Sequence, residues 1–599
     1  MPAVRTPPRQ PAAFSPFTLA LAALVLVALI AYSPAISAPL IFDDTTAIDN
    51  NASITRLWPP TAPLLPPPES PVAGRPIANL TLALNYAVNR VLGVDQSRDP
   101  GGPNKTVSYH LVAIALHIAT GLLLLGIVRR TMRSARFADR WAADADTVAL
   151  IAAAIWLLHP LQSEAVNYLT QRTELVASLC FVGTLYCSIR AWDAIGTQRK
   201  RWYGAAITAC FLGMGAKEMM VSAPFMVLLY DRAFRLNGWT DLRGEEMRSR
   251  RRFYGGLFAT LLLLIALIAT TSRSSAGSGS GMSPLAYLNT QGWAIPHYLQ
   301  LFFWPAKLTL DYGYVAAQSG SGVPGLLLLT LLAAATIFAW TRVNRWGWLG
   351  FCGAWFFLLL APSSSVIPIA TEVAAERRVY LAIAAVIVAI VIGLASIVRW
   401  RPSRTLTLAV AAAVVTVVAV FTWRRSTEYQ APAIIWGQVT SNHPDNARGW
   451  NNLGAIFANQ PVPREGEAES FYRHALDLDS TYAPALYNLG VSAFAHRQFD
   501  QAESLFRRAA THNPDDEPSL VQLGGLLMLR GNAAGALPHL EHAVELAPRD
   551  PGALTALGVV KAAMGQTGEA ADFYRRALLV DPGNDAARQG LARLKPGGT

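Results

Sequence analysis

The feature that most limits what this chain can fold into is a succession of long apolar runs, most ending in arginines. The first, residues 17–38, holds no charged side chain at all. A run of that length suits a helix crossing about 30 Å of hydrocarbon. Inside such a medium every backbone N–H and C=O must find a partner within the protein, which leaves helices or a closed barrel. Ten further runs come after it, about 108–128, 147–158, 175–192, 203–215, 219–229, 253–271, 326–340, 348–360, 379–398 and 406–422, and none shows the two-residue alternation of a strand. The expectation is an all-α, polytopic membrane body of about 11 spans.

Composition agrees: 52% of the 599 residues are hydrophobic and only 15% charged, well below the roughly 25% charged of soluble domains. The net charge of +11 is unevenly spread. Residues 440–599 hold 14 Lys and Arg against 18 Asp and Glu, while the first 439 hold 36 against 21. The basic excess lies in short loops, as at Arg129, Arg130, Arg133, Arg136 and Arg140, or Arg248, Arg250, Arg251 and Arg252. That is the signature of cytoplasmic loops rather than of a nucleic-acid surface. The expected topology is a multi-pass inner (cytoplasmic) membrane protein with a cytoplasmic tail at 1–16, a membrane domain over 17–423, and outer loops at 41–105 and 272–322. The loop at 272–322 is expected to be flexible at 274–281 and interfacial or re-entrant over the aromatic stretch 287–314. An odd number of spans places the C-terminal part of the chain on the periplasmic side. The four cysteines, Cys180, Cys187, Cys210 and Cys352, all lie in apolar runs and read as packing residues.

After a linker at 424–445 the pattern changes. Leu453-Gly454, Leu489-Gly490, Leu523-Gly524 and Leu557-Gly558 recur at spacings of 36, 34 and 34 residues, with Pro514, Pro548 and Pro582 spaced by 34. The period, the small residues and the aromatics Phe471-Tyr472, Phe506 and Phe573-Tyr574 resemble the tetratricopeptide repeat, two antiparallel helices per unit. Residues 446–595 are expected to form about four repeats and a capping helix. The groove of such a solenoid could take a protein or peptide acceptor.

Polar residues of the membrane half cluster in the outer loops. They comprise Phe42-Asp43-Asp44; Arg75-Pro76-Ile77 with Leu84-Asn85-Tyr86; Tyr109-His110-Leu111 through His117; His159-Pro160 with Glu164-Ala165-Val166 and Gln171-Arg172-Thr173-Glu174; Lys217-Glu218 before Pro224; and Glu376-Arg377-Arg378-Val379-Tyr380. In this order, with repeats behind them, they resemble the transmembrane, tetratricopeptide-bearing O-mannosyltransferases, whose membrane body has the GT-C fold. The resemblance implies transfer of a sugar from a polyprenyl-phosphate carrier to an acceptor hydroxyl on the non-cytoplasmic face. It implies Asp43 as the catalytic acid-base group, with Asp44 a second acceptor or an orienting group. It makes Arg75, Arg172, Arg377 and Arg378 the expected ligands of the donor phosphate, Arg172 and Arg378 foremost, an anion that guanidinium suits bidentately. His159, Glu164, Glu174, Lys217, Glu218 and Glu376 are expected in support. A divalent metal bridging carboxylate and phosphate is compatible with these residues, and none is required by them. The plainer alternative keeps the charges as helix-end and buried structural pairs, and makes the protein a non-catalytic scaffold whose repeats bind exported or envelope proteins.

Overall fold

The computed structural model describes residues 15–68, 70–94, 103–238, 247–271, 282–313, 322–364, 372–398 and 404–594, with isolated positions between. The tail before residue 15 and the stretch 274–281 lie outside the described residues. Among the described residues the fold is helical, and the chain divides into two units, Met1–Ile435 and Trp436–Thr599.

The first unit contains α1 (Pro16–Tyr32), α2 (Pro76–Val91), α3 (Pro103–Met132), α4 (Ala145–Leu158), α5 (Arg172–Asp193), α6 (Gly196–Met214), α7 (Ala223–Phe234), α8 (Arg248–Ala259), α9 (Leu261–Thr270), α10 (Pro284–Phe303), α11 (Val323–Thr341), α12 (Val343–Leu360), α13 (Ile383–Val398) and α14 (Arg404–Glu428). Every one of the eleven apolar runs falls on a helix, but among the described residues six are long and apolar enough to cross a membrane by themselves, or seven when the bent pair at 145–167 counts as one. The membrane character is also visible outside: Leu262, Ile265, Leu327 and Leu331 each expose 60% or more of their surface, which lipid tolerates and water does not. Two further stretches are helical. The aromatic stretch around Pro296 is helical over Pro284–Phe303, α10, with Pro296 inside the helix. The linker expected after residue 423 is largely helical, in α14 and in Pro432–Asn442.

Close packing explains the core. α3 lies against α4 and α5 through Gly121 and Gly126; a Cβ at either would come within 2.5 Å of Leu157 or 2.7 Å of Tyr186. α4 ends at His159-Pro160, since proline cannot continue the hydrogen-bond ladder, and the chain bends by 53°. From there to α5 it runs through short turns, and every residue from Trp156 to Ser178 is buried. Irregular, polar backbone at that depth is tolerated only when enclosed by protein. This buried bend is the element on which the polar residues converge.

In the second unit four helix pairs stack, 447–478, 483–512, 517–546 and 551–580, followed by Asp585–Arg593. The Leu-Gly signature has a steric cause. A Cβ on Gly454, Gly490, Gly524 or Gly558 would approach Tyr472, Phe506, Leu540 or Tyr574 of the paired helix to 2.5–2.7 Å. Only hydrogen lets each aromatic or Leu seat against its partner helix.

Candidate functional site

Phe42 takes φ 48°, a left-handed conformation rare for a bulky residue. The two acids that come after it have different partners. Asp44 is fully buried, and its carboxylate accepts from Thr170 N at 2.6 Å, Thr170 Oγ1 at 2.7 Å, Ile41 N at 3.2 Å and Leu169 N at 3.4 Å. It clamps the buried bend to the exit of α1. Burial pushes its carboxyl up to about 7, against the pull of these four donors. Asp43 is half-buried, and its N–H donates to Tyr168 Oη at 3.3 Å, while its carboxylate and the Tyr168 hydroxyl also hydrogen-bond. Burial, then Asp43 and Asp44, hold the Tyr168 phenol well above its ordinary pKa, so it stays protonated and donates to Asp43.

Tyr168 also feels the charge of Arg377. That guanidinium is ion-paired with Glu164 from the bend and with Glu372, and Arg377 N donates to Glu164 Oε2 at 2.8 Å. Burial opposes the Arg377 charge, but Glu372 and Glu164 outweigh it and raise its pKa well beyond the usual value. Glu164 is 1% exposed and Glu372 26%, so the pair has a fixed inner half and an accessible outer half. Asp43, Tyr168, Glu164 and Arg377 therefore form one cluster, although 125 residues separate the first pair and 213 the second.

The other expected residues fall around this cluster in distinct roles. Arg378 turns away, donating to Tyr287 Oη and Val373 O at 3.0 Å each and to Glu372 O. Arg172 is fully buried and donates to Tyr109 O at 2.7 Å and Asn85 Oδ1 at 3.2 Å, tying α5 to α2 and α3. Glu376 accepts from Thr309 N at 2.7 Å and Tyr312 Oη at 3.1 Å, and burial pushes it up to about 8, so it is largely neutral at pH 7. His159 stacks on Phe302, with Nε2 on Phe302 O at 3.0 Å and Nδ1 accepting from Leu161 N at 3.2 Å. It caps the turn after α4. A second ionic group lies where Ile77 N donates to Gly215 O: Lys217 meets Glu174 at 2.6 Å, and Arg75 meets Glu218 at 3.4 Å.

Tyr168, Thr170 and Glu372 belong to no motif that sequence reasoning singles out. The usable signal is the unusually polar run 162–174 between two apolar segments, too enclosed to be a solvated loop. Among the described residues no group of three or more His, Cys, Asp or Glu is placed to hold a metal; the carboxylates here are occupied by arginine, lysine, hydroxyl and backbone donors.

Comparison with known proteins adds to this geometry. Residues 487–551 and 527–594 match family models described as tetratricopeptide repeat. The chain is 26% identical over 303 residues to Protein O-mannosyl-transferase Tmtc2 of Drosophila melanogaster, covering 48% of this chain and 30% of that protein. It is 21% identical over 569 residues to Protein O-mannosyl-transferase Tmtc3 of the same organism, covering 83% of this chain and 59% of that protein. With human Protein O-mannosyl-transferase TMTC3 it shares 20% identity over 637 residues, covering 90% of this chain and 66% of that protein. The chain thus spans about a third to two thirds of the length of these relatives. The likeness extends over most of the chain, membrane body as well as repeats: this is a membrane protein similar to the protein O-mannosyl-transferases, with a C-terminal tetratricopeptide array.

Proposed function

We propose that the membrane unit is a glycosyltransferase, moving a sugar, mannose by likeness to its relatives, from a polyprenyl-phosphate carrier to a hydroxyl of a protein acceptor on the non-cytoplasmic face. Asp43 accepts the hydroxyl proton as the acceptor oxygen bonds to the anomeric carbon and the bond from that carbon to the carrier phosphate breaks. Tyr168 holds the Asp43 carboxylate in place. The departing phosphate gains negative charge, and Arg377 is the cation best placed to meet it. A phosphate oxygen can take the place of Glu372, the more exposed partner, while Glu164 keeps the guanidinium oriented. Arg75 is a second candidate for the phosphate. Arg172, Asp44 and Arg378 act by positioning, since each is buried and hydrogen-bonded to backbone and neighbouring side chains. The repeats present the acceptor.

The observation that carries this reading is the Asp43–Tyr168–Arg377 cluster, an acid, its orienting phenol and a cation gathered from three distant segments. The test is to reconstitute the purified protein with radiolabelled polyprenyl-phosphate mannose and peptide acceptors. Transfer should occur and should be lost in Asp43→Asn. If no donor in a panel of polyprenyl-phosphate sugars is turned over, while deletion of 440–599 removes the cellular function, the scaffold alternative is correct.

A further inference from the structure

A cavity of about 530 Å³ lies between α3, α12 and α13 of the membrane unit. Its size falls in the range of ligand pockets, about 300–1,000 Å³. The position can be measured along α3. Tyr109, whose carbonyl binds Arg172, is near one end of that helix, and Val128, which lines the cavity, is near the other. At 1.5 Å per residue the separation is roughly 28 Å, close to the hydrocarbon thickness of a bilayer. The Val128 end of the cavity therefore lies towards the opposite face of the bilayer from Tyr109, while Ala384 and Ala385 line its other end.

The walls are apolar and aromatic, with Ile127, Val128, Phe351, Trp355 and Val388 among them. Two arginines, Arg140 and Arg345, line the same cavity and are exposed. Each lies over a neighbouring indole, Arg140 on Trp141 at 5.4 Å and Arg345 on Trp346 at 5.6 Å. Among the described residues neither is paired with a carboxylate, whereas Arg129, Arg130, Arg133 and Arg235 of the same end all are. An apolar slot between membrane helices, with unpaired guanidiniums and indoles at its mouth, is complementary to one kind of molecule: a chain of methylenes ending in an anionic phosphate.

The geometry points to a binding site for one anionic glycerophospholipid, its acyl chain in the cavity and its phosphate between Arg140 and Arg345. This inference is independent of the proposed transferase activity. Gly393 supplies a clean probe, because it lines the cavity and an added Cβ there would meet nothing within 4 Å.

The full chain is equilibrated with vesicles of phosphatidylcholine alone or mixed with phosphatidylglycerol, extracted in mild detergent and weighed by native mass spectrometry. Wild type should retain one phosphatidylglycerol. Retention should weaken roughly fivefold for each arginine removed, so about 25-fold in Arg140→Gln/Arg345→Gln. Gly393→Leu should displace the lipid with both arginines intact. Equal retention of phosphatidylcholine, preferential retention of the polyprenyl phosphate, or wild-type retention by both variants would overturn the assignment.

Discussion

Asp44 makes the membrane unit sensitive to pH in a direction that a surface carboxylate would not. Its carboxyl lies at about 7 in the fold and near 3.8 when released, because burial outweighs the four donors around it. The folded state thus binds a proton more tightly than the unfolded state does. The stability this contributes is fully present below pH 3.8 and is lost as pH rises towards 7, after which it is flat. Between pH 5 and pH 8 the slope of about 1.4 kcal/mol per pH unit acts over roughly two units, a loss of about 3 kcal/mol. Asp44→Asn keeps the shape and removes the titration. Thermal unfolding followed by tryptophan fluorescence, for wild type and Asp44→Asn at pH 5 and pH 8, isolates the effect as a double difference in which all other groups cancel. The wild type should lose ground to the variant by about 3 kcal/mol on going to pH 8, which is a Tm difference of a few degrees. Parallel pH profiles would refute the reasoning: the Thr170, Ile41 and Leu169 donors would then outweigh burial, and Asp44 would be an ordinary ionised carboxylate. A reversed double difference would refute it more strongly.

Three further outcomes are expected. Asp43→Asn should lower sugar transfer by about 10²–10⁴-fold with little change in Tm, measured by labelled-donor assay beside thermal unfolding; an active variant would remove Asp43 from the mechanism. Lys217→Met leaves the buried Glu174 carboxylate without its 2.6 Å partner and should cost about 3–5 kcal/mol, with Lys217→Met/Glu174→Leu regaining most of the loss in the same unfolding assay. In the repeats, Phe506→Ala empties a fully buried site against Gly490 and should destabilise that unit by about 3–5 kcal/mol in urea titration; a change under 1 kcal/mol would mean the neighbouring helices collapse into the space.

Much of the architecture is legible in the chain because it rests on local periodicity. Apolar runs ended by arginines locate the helices, and the 34-residue recurrence of Leu-Gly locates the repeats, since each glycine answers a steric demand from the next helix along the chain. The number of full-length crossings is less legible: α6 and α7 are apolar enough to attract notice, yet as independent spans α6 is too polar and α7 too short. The candidate site is legible only as a set of ingredients. Asp43 and Asp44 are adjacent and chemically identical, and nothing in their order says that one is spent on Thr170 while the other faces Tyr168. Arg172 and Arg377 look alike in their motifs, yet packing buries the first against carbonyl and amide oxygens and leaves the second between two carboxylates of unequal exposure. Sequence determined the helices and the repeats, because those depend on neighbours a few residues away. Tertiary structure alone decided which charges are spent and which remain available, because hydrogen bonding across 125 residues and ion pairing across 213 depend on how the helices pack.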